Sequence, residues 1–225
     1  MSMISILGDS ISTFEEMNPQ GYAVFYEGEK REINELETEE ETWWGRVLNA
    51  LGADLCVNAS YSGSRMSGLI FPAGCSDERL LALRTEECVP DIILVFMGYN
   101  DFAYGVPVAC KSDECLTDRK MTFSGAYELV LSHLKILYPH SRIVCGTLMR
   151  SRVRGRIGWQ FPEIIDAEPF ERYNEAIRTA CRKCGVELAD LSAYDMAYET
   201  LDGSHPTALG HKTIADLWIK EMRKG

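Results

Sequence analysis

No window of the sequence approaches the roughly 18 consecutive apolar residues that a membrane-spanning helix requires, so no membrane span is expected. The amino terminus, MSMISILGDS, has neither a basic opening nor a long apolar stretch. It does not read as a secretory leader, and the expected location is cytoplasmic. Positive charge is scarce, with 23 Lys plus Arg against 34 Asp plus Glu and a formal net charge of −11. Sequence-independent binding to phosphate backbones needs a basic footprint, so no nucleic-acid partner is expected. A G-x-x-x-x-G-K-[ST] phosphate loop and a G-x-G-x-x-G fingerprint are both missing, which removes the common nucleotide-binding loops. The G-x-S-x-G elbow is missing too, which counts against the α/β-hydrolase fold.

Metal-type cysteine spacing is almost absent. Of eight cysteines only Cys181-x-x-Cys184 has it, and Cys110 with Cys115 is the next closest pair. A zinc site would need a second knuckle, and Cys181 and Cys184 fall in what reads as the last turn of a helix. In a chain read as unexported, the cysteines are expected to be free, mostly buried thiols. A metal or redox protein built on them is a rival reading that bound zinc or a titratable C-x-x-C thiolate would support.

What is present is core material. Hydrophobic residues make up 46% and charged residues 25%, about average for a soluble globular chain, and the length fits one domain over 1–225. Five short apolar runs read as strands: Ser2 to Leu7, Asp54 to Asn58, Asp91 to Met97, Arg142 to Gly146 and Val186 to Asp190. Their near-continuous Val, Ile and Leu imply burial on both faces. Helical periodicity lies between and after them, at Thr42 to Leu51, Ser76 to Glu87, Phe123 to Tyr138, Pro169 to Cys184 and Thr207 to Lys224. This alternation predicts an α/β fold, a parallel sheet with helices on both faces. Long insertions near 15–41, 98–122 and 148–168 fit neither element. The first and third follow the first and fourth strands, so they should hang over the carboxyl edge of the sheet, where ligands bind in open α/β folds.

Four short motifs fall where the chain leaves a strand or enters the last helix: Gly8-Asp9-Ser10, Asn58 to Gly63, Gly98-Tyr99-Asn100-Asp101, and Asp202-Gly203-Ser204-His205. Each alone has an ordinary explanation, as a helix cap or a Gly/Ser turn. Together, one fold brings them to one edge. Acyl transfer needs a nucleophile, a base at its oxygen, an acid orienting that base and donors for a developing oxyanion. Ser10 fits the first role, His205 the second and Asp202, three residues earlier, the third. The Ser10 and Gly63 backbone N–H groups and the Asn100 amide are candidate oxyanion donors, and Gly63 has no Cβ to obstruct a substrate. His133, His140 and His211 lack carboxylates at matching spacing and read as structural or surface groups.

These four blocks, in this order from Gly8 to His205, resemble the SGNH or GDSL-type serine esterases and acylhydrolases. The resemblance implies a three-layer α/β/α sandwich, flavodoxin-like, with a parallel five-stranded sheet. It implies Ser10 as nucleophile, Asp202 and His205 completing the triad, and Gly63 and Asn100 as oxyanion donors. The second block is similar to the variant in thioesterase-like members. The long insertions depart from the family pattern and shape the substrate pocket.

Between Arg142 and Pro162 lie five arginines and no acid. Either this loop is solvated and pairs with the acidic Glu27 to Glu41 stretch, or Arg150 and Arg152 hold an anionic group on the substrate. Trp159 and Phe161 are candidate pocket walls, whereas Trp43 and Trp44 sit on a helix and read as core. The expected function is hydrolysis of a short-chain acyl or O-acetyl ester of a small molecule or sugar, through an acyl-enzyme on Ser10, without metal or organic cofactor. The alternatives are a thioesterase or lysophospholipase type of acylhydrolase, and a non-catalytic binding module on the same fold.

Overall fold

A computed structural model describes residues 2–110 and 118–224. The five expected strands form one parallel sheet: β1 (Ser2–Gly8), β2 (Ala53–Asn58), β3 (Ile92–Phe96), β4 (Arg142–Gly146) and a short edge strand at Glu187–Ala189. In space β2, β1, β3, β4 and that edge strand follow one another, the 2-1-3-4-5 order of flavodoxin-like sheets. The order reverses between β1 and β3, which sets their carboxyl ends side by side.

Period-two alternation sends strand residues to opposite faces, and both faces here are apolar. Ile4, Ile6, Leu94, Phe96 and Val144 pack under α2 (Trp43–Leu51) and the final helix Ala208–Met222. Leu7, Ile93, Val95, Ile143 and Cys145 pack on the other side, against α3 (Asp77–Leu81) and the helices Phe123–Leu137 and Phe170–Cys184. Trp43 and Trp44 are core residues, both essentially inaccessible. Thr42, Ser76, Thr122 and Thr207 cap their helices, each side chain accepting a backbone N–H from the first turn.

Two expectations need correction. The helix expected over Ser76 to Glu87 stops at Leu81, because Thr85 turns the chain. Thr85 N donates to Cys88 O, and Thr85 Oγ1 accepts the Glu87 and Cys88 N–H groups. The cysteines are not all free: Cys56 on β2 and Cys88 form a disulfide with Cα atoms 6.0 Å apart, whereas Cys75, Cys145, Cys181 and Cys184 are free thiols. A redox-compartment argument says nothing about which residues tertiary structure brings together, and the turn at Thr85 returns the chain to the β2 edge. Cys115 lies outside the described residues.

The third insertion is not a plain loop. Ser151–Val153 pairs in parallel with Tyr198–Thr200, and Ile164–Ile165 forms a hairpin with Glu168–Pro169. These strands are too short to show periodicity. Among the described residues, no helix is long and apolar enough to cross a membrane.

Candidate active site

Gly8 ends β1, and an added Cβ there would lie 2.6 Å from Ser12 Cβ and from the Ser12 and Ser60 hydroxyls. Only glycine admits that approach. Asp9 then caps a 3-10 turn over Ser10–Ser12, its Oδ1 accepting the Ile11 N–H at 3.1 Å. Ser10 is therefore the first residue of the turn, where a backbone N–H has no partner within the helix. The turn is braced from beneath: Trp43 Nε1 donates to Ser12 Oγ and Trp44 Nε1 to Ser12 O, at 3.0 and 2.9 Å.

Ser10 Oγ lies 2.9 Å from His205 Nε2, and His205 Nδ1 lies 2.6 Å from Asp202 Oδ2. The other carboxylate oxygen, Oδ1, accepts the Ser204 and His205 N–H groups, each at 2.8 Å. Burial acts to raise the Asp202 pKa, but the bonds from the imidazole and the two amides outweigh it and hold the group at about 2. An ionised Asp202 can only accept. The proton therefore sits on His205 Nδ1 and leaves Nε2 free to accept from Ser10. The imidazole is clamped on one face by Phe25, stacked at 3.4 Å and 8°. Phe25 N donates to Thr13 Oγ1, which donates in turn to Ser10 O, so the first insertion is tied to the serine turn.

The second and third blocks are joined to this centre. Asn58 Nδ2 donates to Ser12 O, and Asn58 Oδ1 accepts from Ser60 N and Ser60 Oγ. Gly63 has φ +78° with no atom within 4 Å of an added Cβ. What glycine supplies there is the left-handed backbone, and its N–H has no hydrogen-bond partner among the described residues. One Asn100 Nδ2 proton goes to Ser64 O at 2.9 Å, leaving the other for a ligand. Asp101 accepts the Met66 and Ser67 N–H groups at 2.6 and 3.0 Å, pinning the chain just beyond Gly63. Burial still pushes Asp101 up to about 6.

The arginine-rich insertion holds the His205 loop through its backbone and the Ser151 hydroxyl. Thr200 Oγ1 donates to Arg152 O and accepts Gly203 N–H, Arg154 N donates to Thr200 O, and Ser151 Oγ donates to Gly203 O. Trp159 packs against Gly203, while the partly buried Phe161 stacks with the core residue Phe102. The guanidinium groups face their own chain: Arg150 is bidentate on Glu163, Arg152 pairs with Glu199, and Arg154 pairs with Glu35 and Glu199. His211 is buried, accepts the Trp43 N–H at Nδ1, and is pushed down to about 3 by burial.

Two residues at the site carried no sequence signal. Phe25 lies in a long insertion without periodicity. Arg79 reads as a solvated helix residue beside Asp77 and Glu78, yet it is fully buried and donates to Gly8 O, Ala59 O and Pro72 O.

The arrangement can take a proton from Ser10 onto His205 and present N–H donors to an oxygen above Ser10. A profile of the GDSL-like lipase/acylhydrolase family matches residues 2–222. Among solved structures, a candidate GDSL-like lipase from Bacteroides ovatus is similar at 25% identity and TM-score 0.77, over 100% of this chain and 99% of that one. A second, from Bacteroides uniformis, is similar at 27% identity and TM-score 0.74, over 100% and 97%. A candidate arylesterase from Agrobacterium tumefaciens shares the fold at 15% identity and TM-score 0.64, over 100% and 99%. No curated protein matches. On the family match across nearly its whole length, the chain belongs to the GDSL-like lipase/acylhydrolase family.

Proposed function

We propose that this protein hydrolyses a carboxylic ester with a short acyl or O-acetyl group, on a small molecule or sugar, through a Ser10 acyl-enzyme. The observation that carries the reading is the continuous relay from Ser10 Oγ to His205 to Asp202, at 2.9 and 2.6 Å. Ser10 Oγ attacks the ester carbonyl as His205 Nε2 takes its proton, and the Asp202 carboxylate stabilises the imidazolium without being protonated. The tetrahedral oxyanion is received by the Ser10 and Gly63 N–H groups and the second Asn100 amide proton. Collapse breaks the ester C–O bond, and the leaving alkoxide takes the proton from His205. Water then attacks the acyl-enzyme, His205 removes its proton, and collapse returns Ser10 Oγ–H and the free acid.

The test is hydrolysis of p-nitrophenyl acetate and octanoate, with Ser10→Ala as control. Turnover of acetate in preference to octanoate that vanishes in Ser10→Ala supports the reading. Preference for octanoate replaces it with a long-chain acylhydrolase. A folded protein inactive on both esters favours a binding role for the fold.

A further inference from the structure

Arg79 is fully buried, yet it lies on the first turn and a half of α3, where a solvent-facing charge would cost nothing. Taking an ion out of water costs several kcal/mol even after relaxation, and a well-packed Met or Leu would fill the volume without that cost. Each of its three nitrogens has a backbone carbonyl partner instead. Nε donates to Ala59 O at 3.1 Å, one terminal nitrogen to Pro72 O at 2.7 Å and the other to Gly8 O at 2.7 Å. The Tyr22 ring lies over the guanidinium at 5.9 Å. Among the described residues it forms no ion pair with a carboxylate. Burial lowers its pKa only to about 10, so it remains a cation at neutral pH.

The three carbonyls belong to three segments that converge on this one guanidinium. Gly8 directly precedes Asp9-Ser10, Ala59 lies four residues before Gly63, and Pro72 closes the loop that follows Gly63. The Gly8 carbonyl also accepts the Tyr61 N–H at 3.2 Å, so one atom joins the serine turn to the Gly63 loop and to Arg79. We propose that Arg79 is a positioning residue, its guanidinium fixing the distance between the Ser10 turn and the Gly63 loop from beneath. A planar fork with diverging donors suits this task, whereas the ammonium of a lysine is a point donor on a flexible stem. The inference rests on the ester-hydrolysis reading of the same site, because it concerns where nucleophile and oxyanion donors stand relative to each other.

Arg79→Lys and Arg79→Met are compared with Leu134→Ala, a core truncation on α5 (Phe123–Leu137) away from the site. Three quantities are read: kcat and KM on p-nitrophenyl acetate, Tm, and amide exchange over residues 8–12 and 59–65. Misplacing reacting groups by about 1 Å costs on the order of 10²-fold in rate. Arg79→Lys is therefore expected to lose about 10²-fold in kcat with KM little changed, and to exchange faster in those two segments while α5 stays protected. Leu134→Ala loses Tm but keeps kcat. If Arg79→Met does not fold, the lysine variant, which keeps the charge, carries the test. Unchanged kcat and exchange in Arg79→Lys overturn the inference, as does a kcat loss that follows Tm equally in Leu134→Ala. If the wild type hydrolyses no ester, the functional reading fails on its own. The exchange pattern then decides whether Arg79 holds the two segments together, and unchanged exchange overturns that role as well.

Discussion

Replacing Asp202 with asparagine tests the proposed relay at its most specific point. In the wild type Oδ1 is committed to two backbone N–H groups, so the asparagine oxygen is held there and its NH2 takes the place of Oδ2, 2.6 Å from His205 Nδ1. An amide nitrogen can only donate, so Nδ1 must become the acceptor and the imidazole proton moves to Nε2. That proton then points at Ser10 Oγ, 2.9 Å away, and the base can no longer take the serine proton. The imidazolium that forms in the transition state also loses its carboxylate. At an effective dielectric near 20 such a pair about 4 Å apart is worth about 4 kcal/mol. The Asp202 side chain is 47% exposed, so solvent screening reduces this to roughly 2 kcal/mol. Tautomer and charge together place the expected loss at about 10³–10⁴ in kcat, about 4–5.5 kcal/mol. KM should be little changed. Steady-state hydrolysis of p-nitrophenyl acetate, with Tm as the folding control, measures it. A folded Asp202→Asn enzyme within about tenfold of wild type would falsify the role of Asp202 in setting the His205 tautomer.

Asn100→Ala removes one proposed oxyanion donor and is expected to lower kcat by about 10²–10³; an unchanged kcat removes Asn100 from the site. Burial raises Asp9 to about 7 from 3.8, so folded protein holds a proton that unfolded chain releases, and its contribution to stability falls as pH rises from about 4 to 7. Asp9→Asn cannot ionise, and in urea titrations it should gain up to about 4 kcal/mol over wild type at pH 8, with little difference at pH 4; an equal difference at both pH values refutes this. Arg150→Ala leaves Glu163 without its guanidinium partner, and Arg152→Ala removes one of the two guanidiniums on Glu199. They should affect a neutral and an anionic ester alike, and a selective rise in KM for the anionic ester would instead place the guanidiniums on the substrate.

The proposed site was largely legible because its residues come in short local patterns. Ser10, Asp202 and His205 each follow a recognisable boundary, a strand end or a helix start. The turn that carries Asp202 to the imidazole is set by a three-residue spacing. Trp43 and Trp44 fell in the core as their helical face required. The arginine run pairs with Glu35, inside the acidic Glu27 to Glu41 stretch expected as its partner, and also with Glu163 and Glu199, which lie outside that stretch. The Ser151 hydroxyl and the backbone of Arg152 and Arg154 do the supporting instead. Helix α3 ended early because a threonine turn overrode a good helical pattern.

The sequence by itself determined the five apolar strands, the alternation that makes the sheet parallel and buried, and the four blocks at strand and helix boundaries. All of these depend on residues within a few positions of one another. Tertiary structure alone decided the Cys56–Cys88 bridge, the stacking of Phe25 on His205, and the burial of Arg79 beneath Gly8, Ala59 and Pro72. Apart from the Arg79 bond to Pro72, those contacts join segments twenty or more residues apart in the chain. Their partners are chosen by which carbonyls and rings the packed sheet leaves facing one another, and no spacing along the sequence encodes that choice.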